Sequence, residues 1–214
     1  LPSGDIIWTG ANVLKNSTGY NLTQLMVGSE GTLGIITKIV FKLIPHPSHD
    51  LTLLVPFRSA EKACEAVSAV FRAGITPSAL EFMERDAIDW TLKFTDMNVP
   101  IKENIQAHLL VEVDGNDIDM LFKDCEKITK VMEQYDCDEI LFADSSLQKE
   151  QLWKMRRAVG EAVKSNSVYK EEDTVVPRAE LPKLLKGVKS IGKEHGFKSV
   201  CYGHAGDGNL HINI

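Results

Sequence analysis

Between residues 51 and 143 the chain switches repeatedly between two periodicities, and this switching restricts its fold more than any other feature. Residues 51–57, 79–83, 107–113 and 140–143 read as strands, the third apolar enough for a buried strand. Residues 60–73 place Ala63, Ala66, Val67, Val70 and Phe71 on one side of a helix, and residues 118–134 do the same with Leu121, Phe122, Cys125, Ile128, Val131 and Met132. Asp114, Gly115 and Asn116 supply a turn between them. Strand–helix–strand followed by strand–helix–strand predicts an α+β fold: a ferredoxin-like antiparallel sheet with helices mainly on one face. A short helix over residues 85–94 would be an insertion between the two halves.

The last third is predicted to add a helix over residues 146–164 and a short extended piece over 174–176. After Pro177 come a helix over 179–195, a strand over 198–202 and a final strand over 210–214. Residues 1–46 do not read as a self-sufficient domain. They offer a short extended piece near residues 5–9, a helix over 20–27 and a glycine-rich loop, followed by a β-rich run over 35–44. Pro45, His46 and Pro47 then punctuate the chain as a linker, placing the second unit at residues 48–214. Gly28, Gly31 and Gly34 would let backbone amides approach a phosphate or a ring system, although glycine-rich turns before strands also occur without any ligand.

The formal charge of −6, from 30 acids against 24 bases, gives no general attraction to nucleic acid or an anionic membrane. Lys183, Lys186, Lys189, Lys193 and Lys198 recur at roughly helical spacing, as on a solvated helix face. Cys64, Cys125, Cys137 and Cys201 form no CxxC pair, so reduced thiols in a cytoplasmic protein are expected. No apolar run is long enough to span a bilayer and no targeting leader opens the sequence. A first residue Leu1 and an end at Ile214 inside a predicted strand suggest a fragment.

The densest chemistry lies in residues 202–211, YGHAGDGNLH. In the final strand Asn209, His211 and Asn213 should share one face, with Leu210, Ile212 and Ile214 on the other as core. Polar groups on an otherwise buried strand are costly unless they meet a ligand, a metal or one another. His204, across the glycine turn, would bring its imidazole beside His211, and two such imidazoles suit zinc or another borderline divalent ion. A glycine-rich hairpin with hydrogen-bonded core histidines explains the spacing equally well, and Asp207 beside glycine is an ordinary turn former. Arg156 falls on the edge of the apolar stripe Leu152, Val159 and Val163, where it would grip a carboxylate, snorkel, or pair with a glutamate. Arg178 has a similar, weaker case.

With these residues in view, the chain resembles FAD-linked oxidases of the vanillyl-alcohol-oxidase type, in the branch of glycolate oxidase FAD subunits, D-lactate dehydrogenases and D-2-hydroxyglutarate dehydrogenases. The resemblance covers nearly the whole chain and rests on four ordered motifs: residues 15–25 (KNSTGYNLTQL), 27–37 (VGSEGTLGIIT), 152–156 (LWKMR) and 202–211. Residues 173–178, DTVVPR, also look like this family. It implies that residues 1–46 are the tail of an FAD-binding domain, with Gly28, Ser29, Glu30, Gly31, Gly34 and Ile35 lining the flavin, and that the rest is a substrate or cap domain. It also implies that His204 and His211 are metal ligands and that Arg156 and Asn209 hold the substrate.

The implied reaction is oxidation of a D-2-hydroxy acid to the 2-oxo acid by hydride transfer to flavin. An electron-transfer flavoprotein, a quinone or an iron–sulfur subunit would then take the electrons. The pyrophosphate loop of the first FAD subdomain is not in these residues, nor is the downstream Glu and His pair that in the family supplies the third metal ligand and the base. The 214-residue chain is therefore expected to bind FAD weakly or not at all and not to turn over. Glu171, Glu172 and Asp173 stand where a dicarboxylate-specific member would offer a cation, which favours lactate or glycolate over hydroxyglutarate. The competing readings are a non-catalytic ferredoxin-like module that binds a metal or an anion, and a flavoenzyme acting on another alcohol.

Overall fold

A computed structural model describes residues 1–97 and 101–214 and divides the chain into two compact units, Leu1–His46 and Pro47–Ile214. The first holds one short helix, α1 (Leu22–Met26), whose N-terminus is capped by the Asn21 side chain accepting from the Gln24 amide. The helix is shorter than the 20–27 expected, and the strand expected over 35–44 does not form. A strand needs a neighbour for its amides and carbonyls, and among the described residues of this unit none pairs with that run. Its Ile35, Ile36, Val40, Phe41, Leu43 and Ile44 are accordingly exposed.

The second unit is built on a seven-stranded antiparallel sheet. Its strands are β1 (His49–Phe57), β2 (Ala79–Glu84), β3 (Ala107–Gly115), β4 (Leu141–Ala143), β5 (Glu171–Val175), β6 (Val200–Gly203) and β7 (Asn209–Asn213). Their order across the sheet is β4-β1-β3-β2-β6-β7-β5. The first four in that order are the expected ferredoxin-like set, and the last three extend it past β2. Register is fixed by burial: Leu53, Val55 and Phe57 of β1 face the same cluster as Leu109, Val111 and Val113 of β3, so a one-residue slip would turn both sets to the wrong face.

That cluster is covered by α2 (Ala60–Arg72), α4 (Ile118–Met132) and α6 (Leu181–His195), through Ala63, Val67, Val70, Leu121, Ile128 and Leu185. Ser59 and Asp117 cap the first two by accepting amide hydrogens of their first turns. Helix α4 stops two residues short of the expected end because its last turn tightens into a 3₁₀ turn, Glu133–Tyr135, closed by Asp136 at φ 57°. Gly196, at φ 76°, ends α6.

The opposite face is not bare. Helices α3 (Arg85–Thr95) and α5 (Ser146–Asn166) bury Ala87, Ile88, Met155, Val159 and Val163 against Leu54, Met83, Leu110, Val200 and Tyr202. Helices α2, α4 and α6 thus cover one face and α3 and α5 the other, and the insertion expected at residues 85–94 lies between β2 and β3 as half of this second layer. The strand segments behind this layer contribute a second set of apolar side chains, as strands covered on both faces require. Among the described residues no helix is long and apolar enough to cross a membrane, and all four cysteines are free.

Candidate functional site

Three elements of the α3/α5 face bring the chemistry together. Glycine makes the β6–β7 connection feasible. A Cβ on Gly203 would sit 2.7 Å from the Asn209 carbonyl oxygen, and one on Gly208 would sit 2.0 Å from that of Val176. Gly208 also adopts φ 78°, where other residues are strained. Residues 205–207 form a 3₁₀ turn, with the Asn209 amide donating to the His204 carbonyl at 3.1 Å. Strands β6 and β7 then run antiparallel with Tyr202 opposite His211.

As expected, His204 and His211 converge: their ring centroids are 6.2 Å apart at an interplanar angle of 70°. The His211 ring stacks on Tyr202 at 5.2 Å. Leu210 and Ile212 point into the core on the other face, but Ile214 lies beyond the strand and is exposed. That corrects the expected core set: Ile214 still exchanges backbone hydrogen bonds with Lys170 at 3.0 Å, but its side chain is 42% exposed and is not part of the buried cluster.

Arg156 resolves in favour of a glutamate partner. Its Nε and one terminal nitrogen reach Glu81 Oε2 at 2.8 and 2.7 Å, with side-chain exposures of 9% and 8%. The guanidinium also lies 5.5 Å from the centre of the Tyr202 ring. The other carboxylate oxygen of Glu81 meets His204 Nδ1 at 2.8 Å. Glu81, which was not among the expected site residues, thus joins Arg156 to His204. Its signal in the sequence was a lone acid between Leu80 and Phe82 in a central strand, a position where an unpaired charge is hard to bury.

Strand β5 supplies the acids. Glu171 and Asp173 lie opposite Asn213 and His211 and so share their face, and Glu171 Oε1 comes within 2.8 Å of His211 Nδ1. That approach lies off the ring N–H axis, so the nitrogen is close to a charge without a formed hydrogen bond. Glu172 faces the other way and pairs with Lys170, so two of the three expected acids face the site. Asn209 donates its amide to Asp173 Oδ1 and to the Thr174 carbonyl. Asn213 is 4% exposed and neither amide atom has a hydrogen-bond partner. Burial first, then Glu171, pushes the Tyr202 phenol above its ordinary value, with the neighbouring Asn213 side chain opposing the shift. Arg178 is used elsewhere: it donates to the Gly206 carbonyl and lies over the Phe71 ring at 3.8 Å, tying the turn to α2.

The donors suit a divalent ion in part. His204 presents Nδ1 to the Glu81 carboxylate in a hydrogen bond, an arrangement that orients metal-binding imidazoles, whereas His211 Nδ1 is only near Glu171. Among the described residues no group of three or more His, Cys, Asp or Glu side chains is arranged to hold a metal. In the first unit Gly28, Glu30 and Gly31 adopt φ 79°, 49° and 78°, turning the chain sharply. Space beside Gly28 and Gly31 is open, Ser29 and Gly34 are half-buried, and Ile35 is exposed. The loop leaves its backbone accessible beside Gly28 and Gly31, with the Ser29 and Thr32 amides donating within the loop to the Met26 and Ser29 carbonyls. A hollow of about 350 Å³ lined by Arg58, Ser59, Glu84 and Arg85 contains none of these residues.

Comparison with known proteins shows the family and the fold. The chain is 40% identical over 217 residues to D-lactate dehydrogenase of Anaerostipes hadrus, covering 99% of this chain and 46% of that protein. It is 35% identical over 214 residues to the glycolate oxidase subunit GlcD of Bacillus subtilis (strain 168), covering 99% of this chain and 44% of the relative. It thus spans about half the length of these relatives. The fold of alkyldihydroxyacetonephosphate synthase matches with a TM-score of 0.60 at 17% identity, over 94% of this chain and 43% of that one. Residues 46–214 match the family described as FAD linked oxidases, C-terminal domain, and the chain belongs to that family.

Proposed function

We propose that this chain is the substrate-site part of an FAD-dependent oxidoreductase that converts a D-2-hydroxy acid, of the size of lactate or glycolate, to the 2-oxo acid. The observation that carries the reading is the line Arg156–Glu81–His204, with His211 at its side, running from the buried pair under α5 to the half-exposed His204. Relatives named for D-lactate and glycolate support the substrate class. Flavin, when bound, supplies the hydride acceptor, and a divalent ion held by His204 and His211 would polarise the substrate hydroxyl.

The chain's own residues bind and orient. Arg156 spends two nitrogens on Glu81 and offers the remaining terminal nitrogen to the substrate carboxylate. The unsatisfied amide of Asn213 is a second polar contact in want of a partner. Asn209, committed to Asp173, would help the substrate by holding β5 in place. Glu171 and Asp173 beside His211 would repel a second carboxylate and so favour a monocarboxylate. The glycine loop at residues 28–35 would line the flavin as the tail of an FAD domain. The electron acceptor belongs to the same three classes expected above.

Steady-state assay of the full-length protein against D-lactate, glycolate and D-2-hydroxyglutarate, before and after complete metal removal, tests the proposal. Turnover of the monocarboxylates, lost on metal removal and restored by Zn²⁺ or another divalent ion, is expected. Undiminished turnover without metal would defeat the Lewis-acid role, and no turnover of any acid would defeat the substrate class.

A further inference from the structure

We propose that Glu81 is a positioning residue that locks His204 in the Nδ1–H tautomer, keeping its Nε2 lone pair bare for a divalent cation, while the same carboxylate aims Arg156. The proposal rests on the functional reading above and deepens it. The argument starts from Arg156, which gives two N–H groups to Oε2 of Glu81 at 2.8 and 2.7 Å. A guanidinium only donates, and a carboxylate gripped this way is ionised and only accepts. Oε1 must therefore also accept, and its 2.8 Å partner, His204 Nδ1, must carry the hydrogen. A neutral imidazole has one N–H, so Nε2 is left as the acceptor.

Burial makes the lock one-sided. The Glu81 side chain is 8% exposed and held by a buried helix residue, whereas the His204 side chain is 54% exposed. The anchored end of the ring is Nδ1 and the open end is Nε2. His211 lacks such a lock, because the carboxylate of Glu171 approaches its Nδ1 off the N–H axis. One carboxylate thereby sets the distance between the substrate-binding cation and one metal-binding nitrogen, which fixes where a hydroxy acid's two ends can sit.

The test uses the 214-residue protein, metal-free and labelled with ¹⁵N at histidine, under conditions where the imidazoles are neutral. Two-bond ¹H–¹⁵N correlation should show His204 as the Nδ1–H tautomer. In Glu81→Gln the side-chain amide can donate to Nδ1, so the tautomer should be lost, and calorimetric affinity for Zn²⁺ alone should weaken about 10- to 100-fold. Glu172→Gln, on the opposite face of β5, should change neither. His204 found as the Nε2–H tautomer in the unaltered protein, or unchanged Zn²⁺ affinity in Glu81→Gln, overturns the proposal. If Glu81→Gln does not fold or Zn²⁺ binding is too weak to read, the tautomer of the unaltered protein decides alone. Failure of the full-length protein to oxidise any hydroxy acid would sink the functional reading and leave this tautomer result standing.

Discussion

Replacing Arg156 by Met probes the buried pair most directly, and its cost can be worked from the structure. Arg156 and Glu81 have side-chain exposures of 9% and 8% and two contacts below 3 Å, so the variant strands a carboxylate inside the protein with only His204 for company. Breaking a buried pair on one side costs about 3–5 kcal/mol. Met keeps much of the packing on Tyr202, so little of the loss comes from the stack. At roughly 2–4 °C per kcal/mol for a domain of this size, Tm should fall by about 10 °C. Glu81→Met alone should cost a similar amount by stranding the guanidinium. The double variant removes both charges and should lie within about 1 kcal/mol of the unaltered protein, since an ion pair replaced by apolar groups of similar volume is often near neutral. Urea unfolding with unchanged m-values is the assay. Additive losses in the double variant, or a cost below about 1 kcal/mol for Arg156→Met, would refute the claim that the two side chains form one buried unit.

Two further perturbations test the surroundings. His108 of β3 is 2% exposed with no partner for Nδ1, and burial, with Arg85 adding to it, lowers its pKa to about 4. The unfolded chain takes up this proton below about pH 6.5 and the folded chain only near pH 4, so stability should fall as pH drops through that window, by about 3 kcal/mol from this residue. Urea titrations should show that loss in the unaltered protein and not in His108→Leu; parallel pH curves would contradict it. Gly208→Ala would press a Cβ to 2.0 Å from the Val176 carbonyl at φ 78°, so it should cost at least about 1–3 kcal/mol and separate the imidazoles of His204 and His211. Calorimetry and histidine NMR measure both effects, and an unchanged Tm would show that the turn yields more easily than its contacts imply.

Much of the second unit was legible because each of its core elements obeys one period over its length. Leu53, Val55 and Phe57 alternate, Ala63, Val67 and Val70 recur at helical spacing, and both patterns depend only on local geometry. The meeting of His204 and His211 was legible for a similar reason: a glycine turn between two strands leaves few places for them to go. The run over residues 35–44 misled because residue types favour a strand while a partner makes one. Helix α3 was legible as an insertion between β2 and β3, but its apolar face says that it packs and not on which side of the sheet. The role of Glu81 depends on Arg156, 75 residues away, and no local period carries such a pairing. For Asn209 and Asn213 the shared face was readable, but which amide would be spent on Asp173 and which left unsatisfied depended on the β5 pairing.

The central claim, that this face handles a small D-2-hydroxy acid beside a flavin, is tested most directly by anaerobic mixing of the full-length, FAD-loaded protein with D-lactate or glycolate while flavin absorbance is followed. Rapid bleaching is expected with the monocarboxylates, slower bleaching with D-2-hydroxyglutarate, and a loss of roughly 10²-fold or more in rate when the Arg156 anchor is removed. Flavin that stays oxidised with all three acids, or that bleaches equally fast without Arg156, would contradict it.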